Sequence, residues 1–201
     1  MIDSTKISSD MGINLKKILT TLLDSEDFII NYEDDNYKFN IESKNLLKVV
    51  KALKDNEKLK FTQLIDLTAV DYPDNILRFN IVYIFLSVEF NSRIILNTFI
   101  PEDEPIDSIT SLYPCANWYE REVWDLFGIS FKNHPDLRRL LTDYGFSGFP
   151  LRKDFPLSGN VEVRYDISSK KVIYEPVKLT QDFRDFDFES PWEGKTTKGN
   201  D

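Results

Sequence analysis

The stretch FTQLIDLTAVDYPDNILRFNIVYIFLSVEFNSRIILNTFI, residues 61–100, decides the fold because three strand-like segments follow one another within it. Residues 61–70 and 78–90 are rich in aromatic and β-branched side chains, and the turn-forming residues 72–75 separate them. A third segment of this kind, 93–100, follows a weaker turn signal. We therefore predict a three-stranded antiparallel meander over this stretch.

Patterns before the meander predict two helices and one more strand. Apolar residues recur at helical spacing over 15–23 and again over 46–53, where Ser43 could serve as the N-cap. Residues 37–41 alternate between apolar and polar, as a half-buried strand does. The predicted sheet then has about four strands. Its middle strand is apolar at nearly every residue from 79 to 88, which indicates burial on both faces.

Two further helices are predicted after the meander. Pro105 suits the first turn of a short helix. A better defined helix begins near Trp118, where Asn117 could be the N-cap and Glu120 could reach back to it, and Gly128 could end it. The inner face of this helix would carry Tyr119, Val123, Leu126 and Phe127.

Prolines and glycines interrupt the chain from about residue 130 onward, and periodicity weakens there. The predicted fold class is α+β: a small mixed or antiparallel sheet of about four strands, packed with amphipathic helices and followed by a long irregular C-terminal extension. We assign 1–130 to a compact domain and 131–201 to a loop region and an extended tail.

Composition excludes several classes of protein. The 201 residues carry a net charge of −9, which argues against nucleic acid, since binding phosphates needs a basic face. One cysteine excludes a disulfide within the chain and an iron–sulfur cluster held by this chain alone, and one histidine makes a zinc site improbable. The longest apolar run, 81–86, is too short to span a bilayer, and the N-terminus resembles neither a signal nor a transit peptide.

Carboxylates and arginines crowd the region after residue 117. Glu122 and Asp125 are three residues apart on one helix face, so they could bind a metal or act as acid and base. Structural pairing with arginines is the commoner use of such groups. Arginines are near in this chain, because the only net-positive segment, 132–164, follows directly. His134 could be a general base, but no nucleophile is placed to use it.

Literal sequence here resembles one family. EREVWDLFGI at 120–129, HPDLRRLL at 134–141 and PLRKDFPL at 150–157 are similar to the 30 kDa subunit of respiratory complex I, the NADH:ubiquinone oxidoreductase, in its mitochondrial and bacterial form. Trp124 stands where tyrosine is expected, and Phe149 stands where histidine or another aromatic residue is expected.

This resemblance implies a cofactor-free structural subunit in the peripheral arm of a proton-pumping enzyme, with no catalytic residues of its own. Its partners would be the 49 kDa quinone-site subunit and the iron–sulfur subunits, while FMN, iron–sulfur clusters and ubiquinone would lie in those neighbours. The expected place is the matrix side of the mitochondrial inner membrane, or the cytoplasmic face of a bacterial membrane. A scaffold role in a related hydrogenase or plastid-type complex, and a stand-alone carboxylate enzyme, are the alternatives.

The residues expected to form an interface or an ion-pair network are Glu120, Arg121, Glu122, Asp125, His134, Pro135, Arg138, Arg139, Arg152, Lys153 and Asp154. Four aromatic residues of the tail are expected to anchor it in partner pockets: Phe183, Phe186, Phe188 and Trp192. Deletion of residues 180–201 should then weaken assembly and leave the domain folded.

Overall fold

The computed structural model describes residues 4–23, 30–33 and 36–181, and these divide into two compact units with the boundary between residues 157 and 158. Three α-helices lie in the described ranges: α1 Ser4–Leu23, α2 Leu46–Asp55 and α3 Ala116–Phe127. Nine strands accompany them: β1 Asn31–Glu33, β2 Asn36–Ile41, β3 Gln63–Asp71, β4 Phe79–Ser87, β5 Ser92–Ile100, β6 Ile106–Asp107, β7 Phe131–Lys132, β8 Val161–Asp166 and β9 Lys171–Pro176. The α+β class predicted from the sequence is confirmed.

A five-stranded sheet with the order β1-β2-β5-β4-β3 forms the centre of the first unit. Strands β3, β4 and β5 are antiparallel neighbours, so the predicted meander is confirmed. Strand β2 pairs with β5 in parallel, and the short β1 adds an antiparallel edge. The sheet is therefore mixed and has one strand more than expected.

The hydrophobic core lies against one face of this sheet. Phe79, Ile81, Tyr83 and Phe85 alternate along β4 and are fully buried, so they point to the same face. They belong to one cluster with apolar side chains of α1 and α2. Residues on the opposite face of β4, such as Val82, are only half-buried. The expectation that both faces of β4 are covered therefore holds for one face only.

The prediction of a short helix after Pro105 is wrong. Residues Ile106–Asp107 form strand β6, which pairs in parallel with β7. The backbone N–H of Ile106 donates to Ser130 O at 3.0 Å, and that of Ser108 donates to Lys132 O at 2.9 Å. Strand pairing thus satisfies backbone groups that a short isolated helix would leave partly open, and it still buries Ile106.

Helix α3 begins at Ala116, with Cys115 in the N-cap position and without a side-chain cap hydrogen bond. The capping box predicted for Asn117 and Glu120 is therefore wrong, because Glu120 turns into the protein interior. The predicted end is confirmed: Gly128 has φ +79°, and its N–H donates to Trp124 O at 2.9 Å. Ser43 likewise begins a short 3₁₀ turn without capping α2, and its hydroxyl donates to Glu104.

Residues 131–157, which the sequence placed with the tail, lie in the first unit. The second unit contains the hairpin of β8 and β9, a regular element that the weak periodicity did not predict. Phe183, Phe186, Phe188 and Trp192 lie outside the described residues. Among the helices of the described ranges, none combines the length and apolar character needed to cross a membrane.

Candidate functional site

The loop after β7, residues 137–157, is held by charged groups and is called the clasp loop below. Asp125 of α3 is its main attachment and is fully buried. Its Oδ2 atom accepts three consecutive backbone N–H groups, those of Leu140, Leu141 and Thr142, at 2.9, 2.7 and 2.9 Å. Its Oδ1 atom accepts the Thr142 hydroxyl at 2.5 Å and Arg139 Nη1 at 2.8 Å. One carboxylate thus satisfies backbone N–H groups that no helix or strand satisfies in this part of the loop.

Asp125 is ionised in this environment. Burial alone would raise the pKa of its carboxyl, but the hydrogen bonds from Thr142, Leu140 and Leu141 outweigh burial and hold the pKa well below its usual range. An ionised carboxylate accepts hydrogen bonds more strongly than a neutral one. The lowered pKa keeps Asp125 an anion near neutral pH, and its oxygens serve to bind the loop.

Arg139 closes the same cluster from the loop side. Besides Asp125, its guanidinium binds the Gly148 carbonyl at 3.2 Å. Three aromatic rings surround it, those of Trp124, Phe146 and Phe149, with centroids 5.6 to 5.8 Å away. Cation–π contacts of this kind add to the ion pair and restrict the side chain further.

Arg121 supports the loop from within α3. It is almost fully buried, and its guanidinium donates to the backbone carbonyls of Arg138 and Arg139 at 3.2 and 3.3 Å. The ring of Trp118 lies 5.5 Å from it. Arg121 thus binds backbone carbonyls, whereas the sequence analysis placed it in an interface or an ion-pair network.

A second cluster, centred on Asp71, attaches the far end of the clasp loop to the sheet. Arg78 binds Asp71 at 2.7 and 3.0 Å, and it also binds Glu102 and Asp154 at 2.8 and 2.9 Å. The Lys153 N–H donates to Asp71 Oδ2 at 2.7 Å. The hydrogen bond from Arg78 lowers the pKa of Asp71 despite its burial. The strand ends of β3 and β4 are thereby tied to residues 153–154.

Arg152 links this cluster to the end of α3. Its Nε donates to Phe127 O at 2.5 Å, and Nη1 binds Glu102 at 2.5 Å. The rings of Phe79 and Phe149 lie 5.1 and 4.6 Å from the guanidinium. Arg152 thus joins the sheet, the helix and the clasp loop.

Glu120 stands apart from both clusters. It is fully buried, and its Oε1 accepts the N–H of Ile109 at 2.8 Å. Its Oε2 has no hydrogen-bond partner in the part of the chain that the structure describes, and the nearest charged or ionisable nitrogen is His134 Nε2 at 3.9 Å. Burial raises the pKa of Glu120 to about 7, against the weaker effect of the hydrogen bonds from Ser108 and Ile109.

Both ring nitrogens of His134 have a backbone partner. Its Nδ1 accepts the N–H of Asp136 at 3.1 Å, so the ring proton sits on Nε2, 3.1 Å from the carbonyl of Asn117. Both nitrogens are used for structure. His134 therefore orders the turn before the clasp loop.

The remaining residues singled out by sequence do not join the clusters. Glu122 and Pro135 are exposed, and Arg138 pairs with Asp136 on the surface at 2.8 Å. Glu122 and Asp125 differ in burial despite their spacing. Within the described ranges no three His, Cys, Asp or Glu side chains come together as a metal site would require.

Three residues of the Asp71 cluster escaped the sequence analysis: Asp71, Arg78 and Glu102. A signal existed for two of them, because Asp71 ends one strand of the hairpin and Arg78 precedes the next. Opposite charges at such positions favour a cross-strand pair. Glu102 offered no comparable signal.

Comparisons with known proteins agree with this architecture. A family model described as "Respiratory-chain NADH dehydrogenase, 30 Kd subunit" matches residues 39–161. The chain belongs to this family. The match spans α3, the clasp loop and both clusters, and it ends where β8 begins.

Relatives within the 30 kDa subunit family extend the similarity over most of the chain. "NADH-ubiquinone oxidoreductase subunit 9" of Reclinomonas americana is 48% identical over 95% of this chain and 92% of its own length. An NADH-quinone oxidoreductase subunit of Ruegeria pomeroyi is 52% identical, over 92% of this chain and 94% of its own length. A chain in the structure of the membrane-bound sulfane sulfur reductase, described as an archaeal respiratory membrane complex, shares the fold, with a TM-score of 0.62 and 24% identity over 73% of this chain and 85% of that one.

Proposed function

We propose that this chain is a structural subunit of a proton-pumping NADH:quinone oxidoreductase, that it holds no cofactor itself, and that the clasp loop forms part of its contact surface. Membership of the 30 kDa subunit family supports the proposal. The observation that carries it is the use of the signature residues: Arg121, Asp125, Arg139 and Arg152 all bind within the chain and order one loop.

The outer surface of the clasp loop suits protein contact. Leu141 and Leu157 are 59% and 92% exposed, and Tyr144 is fully exposed. The loop is already held by its bonds to α3 and to the sheet. It therefore loses little conformational entropy when a partner covers its large apolar side chains. Aromatic side chains in such positions are frequent anchors of interfaces.

The partners we propose are the 49 kDa quinone-site subunit and the iron–sulfur subunits of the peripheral arm. FMN, iron–sulfur clusters and ubiquinone would then be held by those neighbours. We propose the matrix side of the mitochondrial inner membrane or the cytoplasmic face of a bacterial membrane as its place, since the relatives are named as subunits of NADH-ubiquinone and NADH-quinone oxidoreductases.

Expression of the tagged full chain, in cells whose own copy is deleted, tests the proposal. We expect native gels to place the chain in the band that oxidises NADH, and mass spectrometry of that band to identify quinone-site and iron–sulfur subunits. Deletion without complementation should abolish quinone-dependent NADH oxidation by membranes. A chain found only as a free protein, or one that oxidises NADH alone, would contradict the proposal. Co-purifying nickel–iron subunits would instead indicate a hydrogenase-type complex.

A further inference from the structure

The hairpin of β8 and β9 has one apolar face and one charged face. Val163 lies opposite Tyr174, and Tyr165 lies opposite Val172. Because side chains alternate along a strand, these residues share one face with Val161. The other face carries Glu162, Arg164, Asp166, Lys171, Ile173 and Glu175.

On the charged face, Arg164 and Glu175 pair with each other within the hairpin. Arg164 Nε donates to Glu175 Oε1 at 2.9 Å, and Nη2 reaches Oε2 at 3.4 Å. Residues 158–181 carry four basic and three acidic side chains, whereas the whole chain has a net charge of −9. This face can therefore remain in solvent. Because the segment is nearly neutral, it is repelled little by a partner of either positive or negative charge.

The large residues of the apolar face, by contrast, are more than half exposed. Its five large members, Val161, Val163, Tyr165, Val172 and Tyr174, are each 54% to 60% exposed. At roughly 100 Å² of exposed surface apiece they present on the order of 500 Å². That is near the upper end for the largest apolar patch of a soluble monomer, about 300–600 Å². A two-stranded hairpin is also only marginally stable in water without a surface that covers it.

The size of the face indicates what kind of surface covers it. Two copies stacked through this face would bury on the order of 1,000 Å² in total, below the roughly 1,200–2,000 Å² of a stable interface. A groove on a larger protein can contact the face and both strand edges together, and so bury more.

We propose that the apolar face of the β8–β9 hairpin docks into an apolar groove of a larger neighbouring subunit, with the Arg164–Glu175 face left in solvent. This inference rests on the proposed function, because it assigns the groove to a subunit of the same respiratory complex. It adds a second contact surface to the one on the clasp loop.

The test compares three forms of the tagged full chain in cells that lack their own copy: wild type, the double variant Val163→Lys/Val172→Lys, and the control Ser168→Lys. Ser168 lies in the exposed turn of the same hairpin, so the control also adds positive charge without altering the face. We expect the double variant to lower the fraction of chain in the NADH-oxidising band at least tenfold, and the control to match wild type. Amides of residues 161–175 should exchange with deuterium at least tenfold more slowly in the complex than in the isolated chain.

The possible outcomes separate this inference from the proposed function. Wild-type chain in the complex with hairpin amides that exchange as fast as in the isolated chain would overturn the docking and leave the proposed function intact. Normal incorporation of the double variant would do the same. A self-associating isolated chain, monomeric only as the double variant, would replace the groove by a second copy. Absence of the wild-type chain from any complex would overturn both proposals.

Discussion

At the scale of single residues, the order of the clasp loop depends on buried ionic groups with full sets of partners. Asp125 illustrates this, because five hydrogen bonds reach its two oxygens and none of its partners belongs to a regular element after α3. Glu120, one turn earlier, is equally buried, but its Oε2 has no hydrogen-bond partner among the residues that the structure describes. Two carboxyls on one helix thus have opposite environments and opposite pKa shifts.

Asp125→Asn should destabilise the chain by about 3 kcal/mol, because it removes the anion that Arg139 and three backbone N–H groups share. Chemical unfolding monitored by tryptophan fluorescence measures this, since Trp124 lies beside Arg139. Asp136→Asn is the matched control: its pair with Arg138 is exposed, and we expect a change within about 0.5 kcal/mol. Equal effects of the two substitutions would contradict the role given to Asp125.

Glu120 should make stability fall as the pH rises through the neutral range. Its pKa is about 7 in the folded chain and near the ordinary value of 4.5 when unfolded, so between these values the folded state binds more protons. Stability from this group is then complete below pH 4.5 and is lost as the pH rises through 7, by on the order of 3 kcal/mol.

Glu120→Gln should remove that slope, because the amide keeps an acceptor for Ile109 and does not titrate. Unfolding free energies measured at intervals from about pH 5 to 8 give the comparison. The exposed Glu122→Gln serves as the control and should keep the wild-type slope. An unchanged slope in Glu120→Gln would assign the pH dependence to another group.

At the scale of elements, the close approach of α3 and the clasp loop depends on the residue that ends the helix. Gly128 has a positive φ, and a Cβ at this position would lie 2.6 Å from Phe149 and from Arg152. The helix end therefore needs glycine for its backbone conformation and also for the space that the loop occupies.

Gly128→Ala should cost about 2–4 kcal/mol, since it combines left-handed strain with displacement of the loop. Gly145→Ala is a matched control: φ is +75° there, but no atom lies within 4 Å of the added Cβ. We expect the control to cost only about 1–2 kcal/mol. Thermal unfolding of both variants measures the difference. A cost no larger for Gly128→Ala would show that the contact with Phe149 relaxes freely.

Sequence predicted those elements whose own residues determine them. The meander, α2 and the end of α3 follow from local periodicity and glycine placement, and they agree with the structure. The strand β6 was mistaken for a helix because its partner β7 lies more than twenty residues later in the chain. The position of the clasp loop could be predicted from the sequence, but its conformation could not. That conformation depends on hydrogen bonds between side chains and backbone groups that are far apart in the sequence.

At the scale of the whole molecule, internal charge pairing and exposed apolar surface occur in the same segment. In the clasp loop, Arg139 and Arg152 bind groups within the chain, while Leu141 and Tyr144 are exposed. A protein that acts through contacts needs both properties, since a surface that is not fixed loses entropy on binding.

Tyr144→Ala should leave the unfolding midpoint of the isolated chain within about 1 °C, because the side chain is fully exposed. We expect it to lower incorporation into the NADH-oxidising complex several-fold when wild-type and variant chains compete. Ile76→Ala is the control, since Ile76 is 93% exposed in the turn before β4. Equal incorporation of both variants would place the partner surface away from the clasp loop.

The three successive amides held by Asp125 also set rules for changes in chain length. Residues added between 132 and 134 would lengthen the path before the turn that His134 orders, and would leave the three amides able to reach the carboxylate. One residue added between 140 and 142 would turn at least one of these amides away from it, since a single oxygen accepts all three. Tolerance to insertion should therefore change sharply within a few residues of a segment that has no helix or strand.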